Sequence, residues 1–330
     1  MIISQTPLRI SFVGGGTDLE DFWKLEDGKV LSTAIDKYIY VIVKERFDDL
    51  IYINYSRKEI IEDVSQIKHD LVREAMRTTG VEKGVEITTL ADIPSEGSGL
   101  GSSSSVIVGL LNALYAYKGE QVTAERLARE ACQIEIDILG RPIGKQDQYI
   151  AAYGGLKEFI FHPDGSVTVK NVNISNGDRR VFGSNILLFF TNMTRKSSFI
   201  LKDQKKNTRK NFDILRRMRD QVDEFKAVLE NGYSFDRAGQ ILHEAWLLKQ
   251  KLDNKISNET INDMYMKAIN AGALGGKVCG AGGGGFLMLY VPREKQNSVR
   301  KALKEYRELP FMLEPDGSKI IFNIKRNYWK

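Results

Sequence analysis

The hydrophobic pattern changes period several times along the chain, and each change marks an element. Ile2–Val13 alternates apolar with polar positions around Pro7, the period of a half-buried strand. Residues 30–43 (VLSTAIDKYIYVIV), 51–55 (IYINY) and 85–90 are rich in β-branched and aromatic side chains, so they read as further strands of one sheet. From residue 106 the period lengthens to that of a helix, which Gly119 is placed to end. Thr123 can cap a second helix whose Leu127, Ala131, Ile134 and Ile138 form one stripe, closed by Gly140 and Pro142. Glu135 lies beside that stripe, between Cys132 and Leu139, so its carboxylate is expected at a half-buried edge.

Strands are then expected at 157–161, 167–172 and 186–191. Phe212, Leu215, Val222, Phe225 and Leu229 mark one face of a long helix, and two more helices are expected at 236–252 and 259–271. A strand at 286–291, a helix at 294–308 and a hairpin of 311–313 with 320–324 close the chain. This mixture defines an α+β fold, which we divide into residues 1–182 and 183–330.

Composition narrows the function classes. With 330 residues, 42% apolar and 28% charged, each half can bury a core. The first residues have no basic segment followed by a long apolar one, and no apolar run reaches membrane-spanning length, so a cytoplasmic protein without a membrane partner is expected. Two cysteines and three histidines provide neither a disulfide framework nor a Cys/His zinc spacing. Residues 195–219 carry ten basic and two acidic side chains, but without interleaved aromatics or a known module this reads as a solvated helix face. No nucleic-acid partner is expected; an RNA-binding use of this stretch is the rival it leaves.

Three glycine clusters carry the candidate chemistry. The run IPSEGSGLGSSSS at 93–105 leads directly into the apolar helix, so its amides and the helix dipole converge on one spot, as a polyphosphate requires. Gly14-Gly15-Gly16-Thr17-Asp18 is a turn that brings one carboxylate to the surface. Gly280, Gly282 and Gly285 match a G-x-G-x-x-G spacing, but a strand follows them where a dinucleotide site needs a helix. Glycines this dense imply that a ligand or another backbone packs closely against them. The G-x-x-x-x-G-K-[ST] loop and the protein-kinase H-R-D and D-F-G motifs are all missing. Asp147, in the polar segment after Gly144, reads equally as a catalytic acid or as an ordinary loop residue.

Taken in order, Pro7-Leu8-Arg9 through Asp18, Pro94 through Ser104, and Lys277 through Gly285 resemble the three motifs of the GHMP superfamily of small-molecule kinases. The resemblance implies an N-terminal domain like domain 2 of ribosomal protein S5 and a ferredoxin-like C-terminal domain, with ATP and a sugar or sugar phosphate in the cleft between. It implies ATP contacts from Pro94, Gly97, Ser98, Gly99, Leu100, Gly101, Ser102, Ser103 and Ser104, and Mg²⁺ held by Ser103 and Glu135. Asp147 would face the acceptor hydroxyl, paired with Arg9. Gly15, Gly16, Asp18, Lys145, Gly283, Gly284 and Arg195 would contact the substrate, with Lys196 beside Arg195.

Where galactokinases carry Glu-His-Thr-Asp, this chain has Gly15-Gly16-Thr17-Asp18, which removes two readers of sugar hydroxyls. The motif R-I-S-F-V-G-G-G-T-D-L, with G-K-Q-D-Q later, resembles kinases acting on the anomeric hydroxyl of D-glycero-D-manno-heptose 7-phosphate. Another sugar kinase of the superfamily, or a sugar sensor without activity on the same fold, are the alternatives. A homodimer is compatible with this reading.

Overall fold

The computed structural model describes residues 1–94, 97–194, 197–232 and 234–324. Its spine is β2 (Gly28–Glu45), an 18-residue strand long enough to take several partners. Along one edge it pairs antiparallel with β1 (Ile2–Val13); the ladder shifts register between Pro7 and Leu8, which accommodates the proline's missing N–H. Three other segments share the rest of β2. β5 (Val85–Ala91) takes residues 39–45, β6 (Leu156–Phe161) takes 28–33, and β11 (Leu313–Glu314) takes Ala34 and Ile35. β3 (Ile51–Asn54) runs parallel to β5 and forms a hairpin with β4 (Lys58–Ile61), while β7 (Val167–Asn171) extends β6. β12 (Lys319–Asn323) covers the outer edge of β1, completing nine strands.

The helix Ser102–Lys118 lies on β1 and β2 and buries Ile107, Val108, Leu110, Leu111 and Leu114. Gly109 allows the close approach: a Cβ there would meet Thr6 Oγ1 at 2.8 Å, and the Gly109 carbonyl accepts a bond from Ser4. Gly101 and Gly119, both left-handed, bracket the helix as the pattern predicts.

The second sheet has the order β8 (Ile186–Phe190), β10 (Phe286–Tyr290), β9 (Gly275–Val278). The backbone at 307–309 adds a fourth rung: Phe190 donates to Arg307 and Leu309 to Leu188. The helix Phe212–Asn231 contains the expected apolar face, and Asp236–Gln250 and Glu259–Asn270 start where expected and end within two residues of their expected limits. Apolar residues from this sheet and its helices form a second core around Trp246, Leu287 and Leu289. The strand GGKV at β9 carries almost no strand signal and is held by pairing with β10.

Two expectations for the end of the chain are corrected. The helix at 294–308 is confined to a short 3₁₀ turn and Gln296–Ala302, because 307–309 are claimed by the sheet. The hairpin of 311–313 with 320–324 does not form; β11 and β12 instead pair with β2 and β1, so these strands, assigned with 183–330, belong to the first sheet. Backbone contacts fix them there: Gly155 donates to Glu314 and Ser318 to Ala151. Helices at Asp70–Thr79, Asn176–Ser184 and Ser197–Asn207 were also not read from the pattern.

Gly154 has φ +64, and a Cβ on it would lie 2.0 Å from the backbone of Asp316. Gly154→Ala should therefore cost on the order of 3 kcal/mol of stability, read as a lower urea midpoint; an unchanged midpoint would show that this anchor does not hold the terminal strands.

Candidate active site

The three glycine motifs meet in one cleft of about 420 Å³ between the two sheets. Its roof and floor touch backbone to backbone. A Cβ at Gly280 would lie 2.8 Å from Gly99 Cα, one at Gly99 2.6 Å from the Cys279 carbonyl, and one at Gly285 2.5 Å from the Ser98 carbonyl. The density of glycine is thereby explained: two loops close on one another.

Arg9 sits where β1 passes beneath the first of these loops. Its Nε and Nη2 reach Asp147 Oδ1 and Oδ2 at 2.7 and 2.6 Å, a two-pronged pair, and its Nη1 donates to the Gly99 carbonyl at 2.5 Å. Burial opposes the guanidinium charge, but Asp147 more than offsets it, and the Arg9 pKa is raised. Asp147 occupies the first turn of the helix Gln146–Tyr153 with its carboxylate at the cleft wall. Placed against a buried cation and the mouth of the serine loop, it is set apart from an ordinary loop residue.

Asp18 is almost fully buried. It accepts from the Gly16 N–H at 2.9 Å and from Gln146 Nε2 at 3.0 Å, and Gly144 packs directly on its carboxylate. Burial, then the nearby charge of Asp147, raises its pKa.

At the other end of the cleft, Glu135 is fully buried rather than half-buried as expected. The helix that starts at Thr123 widens into a π-helical segment at Gln133–Ile138, and the changed pitch turns Glu135 inward while Ile138, predicted on the apolar stripe, faces solvent. The carboxylate accepts from Ser103 and Ser104 at 2.6 Å, from Gln148 at 2.6 Å and from Arg141 at 2.8 Å. Arg141 Nη1 also reaches Ser103 Oγ at 2.5 Å, and Nη2 reaches Asp70. Burial disfavours the Asp70 charge, yet Arg141 outweighs this and the Asp70 pKa is lowered. Ser103 Oγ and Glu135 Oε1 thus already converge on a cation, the guanidinium. Two hard oxygens are donors of the kind Mg²⁺ takes, so Ser103 and Glu135 fit that ion chemically. No protein cluster of three or more metal-ligating side chains occurs among the described residues.

The sequence-derived candidates divide as follows. Arg9, Asp147, Asp18, Gly15, Gly16, Gly97, Ser98, Gly99, Gly101, Ser102, Ser103, Ser104, Glu135 and Gly284 all line the cleft. Pro94 is exposed and outside its lining; Leu100 points into the core. Gly283 is occupied with the Ile256 carbonyl. Lys145 is corrected as a substrate contact: its ammonium bonds the Gly165 carbonyl at 2.6 Å and stands over the Trp23 ring, away from the cleft. Arg195 and Lys196 lie outside the described residues. Sequence reasoning assigned no role to Arg141, Lys249 or Lys277. Lys249 left a signal, a lysine on the buried face of the helix Asp236–Gln250 between Trp246 and Leu252.

A glycine loop opening a helix, an arginine-held aspartate and a glycine-rich wall from a second sheet make a phosphoryl-transfer cleft. Comparison agrees: residues 54–155 match the GHMP kinases N terminal domain and 225–308 the GHMP kinases C terminal domain. The chain belongs to the GHMP kinase family, and is accordingly a phosphotransferase with an alcohol acceptor; kinases of this family use ATP as donor. It is 31% identical, over 92% of its length and 93% of the relative's, to a D-glycero-alpha-D-manno-heptose 7-phosphate kinase of Campylobacter jejuni. A crystal structure of a D-glycero-D-manno-heptose 1-phosphate kinase from Bacteroides thetaiotaomicron superposes with TM-score 0.83 at 26% identity, covering 98% of this chain and all of that one. A mevalonate kinase of Thermococcus sibiricus is 26% identical over 91% of this chain and 88% of its own. The relatives support a sugar kinase within the family. No helix among the described residues is long and apolar enough to cross a membrane.

Because the Asp18 pKa is raised on folding, the unfolded chain releases this proton at lower pH than the folded one. Its contribution to stability is therefore fully present below about pH 4, the range of an unperturbed aspartate, and is lost as pH rises through the folded value. Urea titrations at pH 4 and pH 7 should show wild type losing stability relative to Asp18→Asn as pH rises; a pH-independent difference would contradict the assignment.

Proposed function

We propose that the protein transfers the γ-phosphoryl group of ATP to the anomeric hydroxyl of D-glycero-D-manno-heptose 7-phosphate, giving the 1,7-bisphosphate. The carrying observation is the Arg9–Asp147 pair, fixed between the serine-rich loop and the Gly14–Asp18 turn. In this reading the amides of Ser102–Ser104 and the N-terminus of their helix receive the triphosphate. Asp147 keeps lone pairs free beyond those that Arg9 occupies, and accepts the proton of the acceptor hydroxyl. The hydroxyl oxygen then attacks the γ-phosphorus as the bond to the β-phosphate oxygen breaks and ADP leaves. Arg9 keeps Asp147 ionised and adds positive charge where the transferring group gathers negative charge. Ser103 and Glu135 would hold Mg²⁺, which when bound neutralises charge between the β- and γ-phosphates. Asp18, clamped by Gly16 and Gln146, lines the acceptor side, where Gly15 adds no side chain beside Ser11 and Gln146 and so leaves room for a sugar.

Support for the heptose comes from the Campylobacter relative. The Bacteroides protein is described as a heptose 1-phosphate kinase, which favours a second reading in which position 1 and not position 7 carries the phosphate that distinguishes the substrate.

Asp147→Asn should lower kcat by about 10²- to 10⁴-fold while affinity for AMP-PNP is retained, because only the proton acceptor is removed. Near-normal turnover would remove the base assignment. For the substrate, ATP consumption should be measured with heptose 7-phosphate, unphosphorylated heptose, fucose, galactose and mannose, with ³¹P NMR of each product. A 1,7-bisphosphate formed faster than any other product is expected; preference for an unphosphorylated sugar would sink the heptose 7-phosphate reading.

A further inference from the structure

The cleft contains two buried ammonium groups for which the phosphoryl-transfer scheme has no use. Lys249 and Lys277 both line it, and both are more than nine-tenths buried. Their bonds run to backbone carbonyls alone among the described residues: Lys249 to Gly280 at 2.5 Å and Val278 at 3.2 Å, Lys277 to Phe12 at 3.0 Å. Two desolvated cations side by side, neither paired with a carboxylate, are costly unless an anion joins them. A third group points the same way. Ser11, next but one to Arg9 on β1 and therefore on the same face, lines the cleft with its hydroxyl buried and without a partner among the described residues.

These groups lie on the acceptor side. The carbonyl that Lys277 binds is that of Phe12, near the end of β1 and two residues before Gly14, and the electrostatic neighbours of Lys277 are Cys279, Arg9 and Asp18. The nucleotide side has its own positive groups in the helix N-terminus at Ser102 and in Arg141. Lys145, the sequence-derived candidate for a substrate phosphate, faces Trp23 instead.

We propose that Lys249, Lys277 and Ser11 form a subsite for the phosphate monoester of a phosphorylated sugar acceptor, distinct from the site of the transferred phosphate. The proposal rests on the reading of this cleft as a sugar kinase site and names what would make it choose a phosphorylated acceptor. Two ammonium groups and one hydroxyl match the oxygens of a phosphate dianion, and the low-dielectric surroundings strengthen each contact. Burial pushes the Lys277 pKa down to about 8 and holds that of Lys249 well below the ordinary lysine range. A dianion reverses that shift, so binding near pH 8 draws protons from the buffer.

The test compares wild type with Lys249→Gln, Lys277→Gln and Ser11→Ala, using heptose 7-phosphate, unphosphorylated heptose and AMP-PNP as probes. The ratio of kcat/KM for heptose 7-phosphate to that for heptose should fall about tenfold or more in each lysine variant, and less in Ser11→Ala. An unchanged ratio overturns the proposal. Weakened AMP-PNP binding with the ratio preserved also overturns it, by giving the lysines to the nucleotide. Calorimetry of wild type at pH 8, in buffers of different ionisation enthalpy, should show proton uptake with heptose 7-phosphate and none with heptose; equal uptake overturns the subsite whether or not the variants fold. If wild type does not use heptose 7-phosphate, the same calorimetry with mannose 6-phosphate and galactose 1-phosphate separates the two ideas. Binding of either that the lysine variants lose keeps the subsite while the heptose reading fails; binding of neither removes both.

Discussion

One guanidinium ties the cleft together. Arg9 is fixed by β1, whose ladder to β2 is the longest in the molecule, and from there it reaches both a carbonyl of the serine loop and the two oxygens of Asp147. A buried charge pair of this kind is a poor source of net stability, since desolvation consumes most of the attraction, but breaking it strands a charge at a cost of about 3–5 kcal/mol. Its value is positional. Three segments distant in sequence, near residues 9, 99 and 147, cannot shift independently while the fork holds.

Around that fork the cleft is built by subtraction. Side chains are missing from both faces of the contact at Gly99, Gly280 and Gly285, so two backbones lie within van der Waals distance. The polar residues that remain fall into two groups of mixed sign: Glu135, Arg141 and Ser103 in one, Asp18, Lys277 and Lys249 in the other. The first group is neutralised internally through Arg141, the second is left with more cation than anion. A cleft with such asymmetry orients an unsymmetrical pair of anionic ligands before any specific contact is made.

Much of this was legible in the chain. Alternation along β1, the apolar helix after Ser102 with glycines at both ends, and the glycine clusters are local signals, and local signals survive folding when the elements they define are long. The sheet GGKV was not legible, because its strand conformation is imposed by β10. Neither was the inward turn of Glu135, which depends on a π-helical widening that a 3.6-residue period cannot anticipate. Lys145 misled for a plain reason. It adjoins Gln146 and Asp147 in sequence, but it stands at the N-cap of their helix, and its ammonium is directed over Trp23.

The position of β12 bears on how the molecule comes into being. The opening strand of the chain receives its outer partner from residues near its far end, and the amino group of Met1 donates to the carbonyl of Ile324 at 2.7 Å. During synthesis on the ribosome, then, β1 waits with a bare hydrogen-bonding edge until the segment Lys319–Asn323 has emerged to cover it.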